Sequence, residues 1–124
     1  MGNVYFVAAD GAIKIGYSTD VSKRMAQLQT GAACKLKLLA IFTDAIPALE
    51  KRLHEEFKTH RLEGEWFRDH RTIRRFAVAV AQGSRPVSAA SIHALAEIAR
   101  QSRDEPKKPK MPDSQNKRYQ KILD

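Results

Sequence analysis

The chain has 124 residues, 43% of them hydrophobic, which is room for one compact domain with an appendage and too little for two. Lysine and arginine number 22 against 14 acidic residues, a formal charge of +8, so a polyanion is the natural partner class. No apolar run approaches the roughly 18 residues of a membrane span and no secretory pattern opens the chain, so a soluble, cytoplasmic protein is expected. The single cysteine, Cys34, excludes an internal disulfide and a cysteine-rich zinc site, and reads as an inert thiol.

Residues 4–9 and 12–17 alternate as strands around Asp10-Gly11, a strong hairpin signal. A type I′ turn there sets Ala9 against Ala12, Val7 against Lys14 and Tyr5 against Gly16. Tyr5 and Lys14 then share one face of the ribbon, while Val4, Phe6, Ile13 and Ile15 take the other and supply the core. Asp20 is suited to cap a helix that runs to about residue 30 and stops at Gly31, with Val21, Met25 and Leu28 as its apolar stripe and Arg24 at the stripe's edge. Residues 36–42 predict a third strand.

Asp44 predicts the start of a second helix, with Pro47 tolerated in its first turn. Its apolar stripe is Ile46, Leu49, Leu53 and Phe57, and helical geometry sets Glu50 within that stripe, with His54 one turn on. Trp66 and Phe67 suggest an apolar plug, the alternative being a base-stacking platform. Asp69 is the expected cap of a third helix reaching Gln82. That helix carries Arg71, Arg74 and Arg75, and with Arg68 these are candidate phosphate contacts. After a linker at 83–86, residues 88–101 predict a fourth helix that docks on the domain or on a partner. A Pro-broken basic tail follows, with Lys107, Lys108 and Lys110 as further nonspecific contacts to DNA and a composition that disfavours folding alone. The organisation expected is therefore a catalytic or binding domain over 1–83, a linker and accessory helix over 84–101, and a tail over 102–124.

Four polar side chains in this arrangement can assemble phosphodiester chemistry. Glu50 can hold one Mg²⁺ or Mn²⁺ ion that keeps most of its waters. Arg24 can contact the phosphate, and Tyr5 can orient water or take a proton from it if nearby positive charge lowers its phenolic pKa. Lys14 can supply that charge or touch a phosphate oxygen. A structural alternative stands beside this one: Glu50 paired with Arg24 or Lys14. His54 can orient a neighbour, contact phosphate or pack as a half-buried ring.

The order Val4-Tyr5, Lys14-Ile15-Gly16, Arg24, Glu50 resembles the GIY-YIG nuclease superfamily. It is most similar to the phage and bacterial branch described as a DNA-binding domain, through Leu49-Glu50-Lys51-Arg52-Leu53-His54 and Gly64-Glu65-Trp66-Phe67. The resemblance spans roughly residues 2–80. It implies a small α/β (α+β) domain with a short antiparallel three-stranded sheet flanked by helices, cutting DNA with one divalent metal. It also implies a water-activating role for Tyr5, phosphate binding for Arg24 and metal ligation for Glu50. Two departures are Lys14, where the second motif has tyrosine, and Asn3, where the first has glycine. The reading is a metal-dependent endonuclease or nickase acting on DNA. The alternatives are a DNA-binding module without turnover on the same fold, and an interaction protein working through the 88–101 helix. A cut across both strands calls for two sites or two nicks, which makes a dimer on DNA one arrangement to test.

Overall fold

A computed structural model describes residues 2–101. Strand β1 (Gly2–Ala9) turns at Asp10-Gly11 into β2 (Ala12–Ser18), and Gly11 takes the left-handed φ of 77° that favours glycine. The hairpin register is the one the turn dictates, with Tyr5 opposite Gly16 and Val7 opposite Lys14. Helix α1 (Val21–Thr30) follows, and the Asp20 carboxylate accepts the Lys23 N–H at 3.0 Å. Asp20→Ala removes that acceptor and is expected to lower stability by about 1 kcal/mol. Urea unfolding beside Asp20→Asn checks this, because asparagine keeps the acceptor; equal midpoints for the two variants would mean the cap is idle.

Strand β3 (Lys37–Ala45) pairs antiparallel with the free side of β1. It runs past residue 42, where the sequence suggests an end, because Ala45 still pairs with Gly2. Asp44 therefore does not start the second helix. It lies within the strand at a φ of 55°, and helix α2 (Pro47–Glu56) begins at Pro47, where the missing N–H has no helical partner to lose.

A 3-10 turn (Lys58–His60) leads into β4 (Arg61–Glu63) and β5 (Trp66–Arg68), joined through Gly64 at a φ of 58°. Strand β5 pairs with β2, so the sheet has five antiparallel strands in the order β3-β1-β2-β5-β4, where three were expected. Each added strand is three residues long, too short to display alternation. Helix α3 (Arg71–Ala81) is capped by His70, whose Nδ1 accepts the Thr72 N–H at 3.1 Å. Asp69 is not the cap, because both of its oxygens are held by Arg74, at 2.7 and 2.9 Å.

Helices α2, α3 and α4 (Ala89–Gln101) contribute to the larger core with one face of the sheet. Val4, Phe6, Ile13, Ile15 and Phe67 meet Leu49, Leu53, Phe57, Ile73 and Phe76 there, and Ile92 and Ala96 bring α4 into the same core. Phe57 packs edge-on against Phe76 with centroids 5.3 Å apart. The opposite face has a smaller core of Tyr5, Val7, Val21 and Leu36, with Met25 and Leu28 packed on it. The face that bears Tyr5 and Lys14 is thus roofed by α1 rather than open. Among the described residues no helix is long and apolar enough to cross a membrane.

Candidate active site

Tyr5 lies across Gly16 of the neighbouring strand. A Cβ built on Gly16 would stand 2.5 Å from both Cζ and Oη of the tyrosine, so only glycine leaves room for the phenol. Tyr5 is 1% exposed, and burial raises its pKa above the usual tyrosine value. The Arg24 charge works the other way, and the Glu65 and Glu50 charges add to the rise. The condition for Tyr5 to take a proton from water, a phenolic pKa lowered by nearby positive charge, is therefore not met. Tyr5 keeps its proton at neutral pH and can orient a water through its hydroxyl, but it is not a resident base.

The charges of Arg24, Glu65 and Glu50 all bear on the one phenol. Arg24 sits exposed on α1 and borders a polar groove of about 290 Å³ with Ser18, Thr19, Asp20, Lys23 and Gln27. Lys14 has its ammonium 3.0 Å from Glu65 Oε1 and 5.4 Å from the Trp66 ring centre. Neither structural partner expected for Glu50 holds it: Lys14 is spent on Glu65.

Glu50 is the anomaly of this cluster. Its side chain is 17% exposed, and its Oε2 is buried with no hydrogen-bond partner among the described residues. The nearest cation candidate, His54 Nε2, stands 3.9 Å away, too far for a hydrogen bond. Burial first, then a hydrogen bond with Glu65, then the Glu65 charge push the Glu50 carboxyl up to about 7, against the pull of Lys14 and Lys51. The bond to Glu65 exists only while Glu50 carries a proton, so the ionised form is the one left without a donor. Burial also pushes Glu65 up, but the hydrogen bonds from Lys14 and Glu50 outweigh it and hold Glu65 below the usual range. Two neighbouring carboxyls thus separate into a protonatable Glu50 and an ionised Glu65.

His54 is turned to the backbone. Its Nε2 donates to the Ile15 carbonyl at 2.8 Å and its ring meets Phe67 edge-on at 5.1 Å, which ties α2 to β2 beside Gly16. Glu65 is the member that sequence reasoning missed as a site residue. It lay within the quoted Gly-Glu-Trp-Phe run, but its partner, Lys14, comes from a distant strand.

Among the described residues no group of three or more His, Cys, Asp or Glu is assembled to hold a metal. A divalent ion that keeps several waters needs only one or two carboxylates. Glu50 fits that demand, since a buried carboxyl oxygen without a donor is what a cation would satisfy. Another cavity, of about 430 Å³, is lined chiefly by apolar residues such as Phe42, Ile46, Leu49 and Val87, and none of Tyr5, Lys14, Arg24, Glu50 or Glu65 lines it.

The basic residues divide. Arg68 and Arg71 are exposed. The Arg74 fork is occupied by Asp69, and Arg75 is turned inward, 8% exposed, donating to the Ala99 carbonyl of α4 at 3.2 Å. Lys107, Lys108 and Lys110 lie outside the described residues. A family model described as "T5orf172 domain" matches residues 2–83 of the chain, and no curated protein and no solved structure matches it.

Proposed function

We propose, for a chain that belongs to the T5orf172 domain family, that the Tyr5–Glu50 cluster hydrolyses phosphodiester bonds in DNA as a metal-dependent endonuclease or nickase. The observation that carries this reading is the buried, donorless Oε2 of Glu50, a carboxylate whose charge, like that of Arg24, bears on the Tyr5 phenol. The resemblance to the GIY-YIG superfamily supports the same roles for Tyr5, Arg24 and Glu50.

Glu50 would hold one Mg²⁺ or Mn²⁺. Bound there, the ion supplies Lewis acidity against the charge that builds on the phosphate. Arg24 binds the phosphate from the open side of α1, where a charge-assisted bond orients the scissile group. Tyr5 directs a water through its hydroxyl while Gly16 keeps the ring in place. Lys14 holds Glu65 ionised, and Glu65 in turn senses the protonation of Glu50. His54 braces Glu50 by fixing α2 to the Ile15 carbonyl. Arg68 and Arg71 add sequence-independent contacts along the duplex.

A second reading, a binding module without turnover, is favoured by one observation: Lys14, which stands where the resembled motif has tyrosine, is engaged by Glu65. Supercoiled plasmid incubated with Mg²⁺ or Mn²⁺ separates the two. Nicked or linear product is expected from the wild type and not from Glu50→Ala at the same salt. Intact plasmid from both proteins, with both retarding it on a gel, would leave the binding module.

A further inference from the structure

We infer that Arg52 and Glu56 are positioning residues of the proposed site: through them α4 grips α2 and sets the seat of Glu50 and His54 over β2. The inference rests on the reading of Glu50 as the metal ligand, and it adds to that site a helix that lies beyond residue 83, where the family match ends.

Helix α2 depends on its neighbours for its place. Its ten residues fall short of the roughly 12–15 that an isolated helix needs in water, and Ile46 at its start supplies no side-chain cap. Each of its faces is answered by a different part of the fold. Leu49, Leu53 and Phe57 enter the larger core, and His54 bonds the Ile15 carbonyl of β2. Arg52 and Glu56, one turn apart, meet α4 and the segment that leads into it. In sequence His54 falls between these two, and Glu50 lies one turn before it.

Both grips are direct. Arg52 Nη1 donates to the Val87 carbonyl at 2.7 Å, just before α4 begins. At the last residue of α2, Glu56 meets His93 Nδ1 through its two carboxylate oxygens, at 3.3 and 3.2 Å, and its Oε2 lies 3.7 Å from Arg100 Nη2. The Glu56 side chain is 14% exposed, so these partners stand in for water around a carboxylate that is nearly enclosed. Glu97, one turn from His93, pairs with both His93 and Arg100 and keeps the two on one face of α4.

A grip steadies α2 only if α4 is itself fixed. Ile92, Ala96 and Ala99 are buried, and Arg75 of α3 donates to the Ala99 carbonyl at 3.2 Å. Ahead of α4, Arg85 donates to the Thr43 carbonyl at 2.7 Å and lies over Phe42 of β3, 4.2 Å from the ring centre. The strap is thus fastened to β3 near one end and to α3 near the other, and it holds α2 along its length.

The test uses the full chain without DNA and reads the seat twice, by Mn²⁺ affinity from EPR and by solvent exchange of the His54 ring N–H from NMR. The double variant Arg52→Ala with Glu56→Ala is set beside the wild type and two controls. One is the conservative pair Arg52→Lys with Glu56→Gln, which keeps a donor and an acceptor. The other is Lys58→Ala, which breaks only the exposed pair with Glu55. In the alanine pair the ring proton is expected to exchange about tenfold faster, as follows from losing hydrogen bonds to charged groups. Mn²⁺ is expected to bind about threefold more weakly, because affinity scales with the fraction of chains in which the site is formed. Both controls are expected to match the wild type. Unchanged exchange in the alanine pair would overturn the inference, as would faster exchange with unchanged Mn²⁺ affinity, or a loss that the conservative pair fails to restore or that Lys58→Ala shares. If the alanine pair does not fold, Glu56→Ala alone is read in the same two ways. A wild type that neither binds Mn²⁺ nor nicks plasmid loses the nuclease reading, and the ring proton then decides this inference alone. A wild type that binds or nicks, with the alanine pair unchanged, loses the α4 grip and keeps the nuclease reading.

Discussion

Glu50→Gln is expected to make the protein more stable at pH 8 and at the same time to abolish most of the proposed nicking. The Glu50 carboxyl is raised to about 7 in the folded state, against an ordinary value of 4.5. The folded chain therefore binds this proton more tightly than the unfolded one does. That stabilisation is complete below about pH 4.5 and is lost as pH rises through 7. Glutamine cannot ionise, so the variant gains on the wild type across that window and keeps the gain above it. With solvent screening allowed for, the difference should reach about 1–2 kcal/mol at pH 8 and vanish near pH 4. Urea midpoints at the two pH values measure it, and a gain equal at both would show that ionisation of Glu50 is not the strained state. Mg²⁺ should stabilise the wild type at pH 8 and leave the variant unchanged, since only a ligand-competent folded state is favoured by binding. Nicking should fall roughly 10²–10³-fold, the usual consequence of removing one electrostatic stabiliser from a reacting centre.

Gly16→Ala should be the most damaging small change in the sheet. The added methyl would meet Tyr5 at 2.5 Å, and the ring is held in the smaller core with Val7, Val21 and Leu36. Moving the phenol aside means repacking beneath α1, at about 3 kcal/mol. Tyr5→Val shortens the side chain and should relieve the clash. In that background the alanine is expected to cost well under 1 kcal/mol, a coupling that a double-mutant cycle reads directly. Equal costs in both backgrounds would mean that the ring is free to shift. On the proposed mechanism either single change should remove nicking, because the hydroxyl proposed to direct water is displaced in one and deleted in the other.

Both results turn on how a local pattern meets a distant one, and this also decides what could be read from the sequence. The hairpin register was legible because Asp10-Gly11 fixes the turn and every pairing follows from it. The buried stripe of α1 was legible too, but nothing in its period says which sheet face it covers. The tyrosine therefore looked more open than it is, and the burial that raises its pKa was hidden. Strands β4 and β5 were hidden by their brevity, and with them the neighbour that engages Lys14. The starts of α2 and α3 were each misread at an aspartate, since Asp44 is kept in the sheet by the pairing of Ala45 with Gly2 and Asp69 is kept from capping by Arg74. Glu50 stood out at once, because a carboxylate in an apolar stripe demands a reason.

The bond from His54 to the Ile15 carbonyl joins two halves of the cluster that come from different parts of the chain. Tyr5 and Gly16 belong to one tight hairpin, the kind of local unit that forms in about 1–10 μs. Glu50 and His54 come from a helix that follows β3 in the chain, and β3 lies on the other side of β1. The half proposed to direct water is therefore local in the chain, and the half that would hold a metal is remote from it. A partial opening that lifts α2 removes Glu50 and His54 together while the hairpin stays closed. Such a chain would be disarmed without being unfolded, and hydrogen exchange at the amides of α2 would report how often that happens.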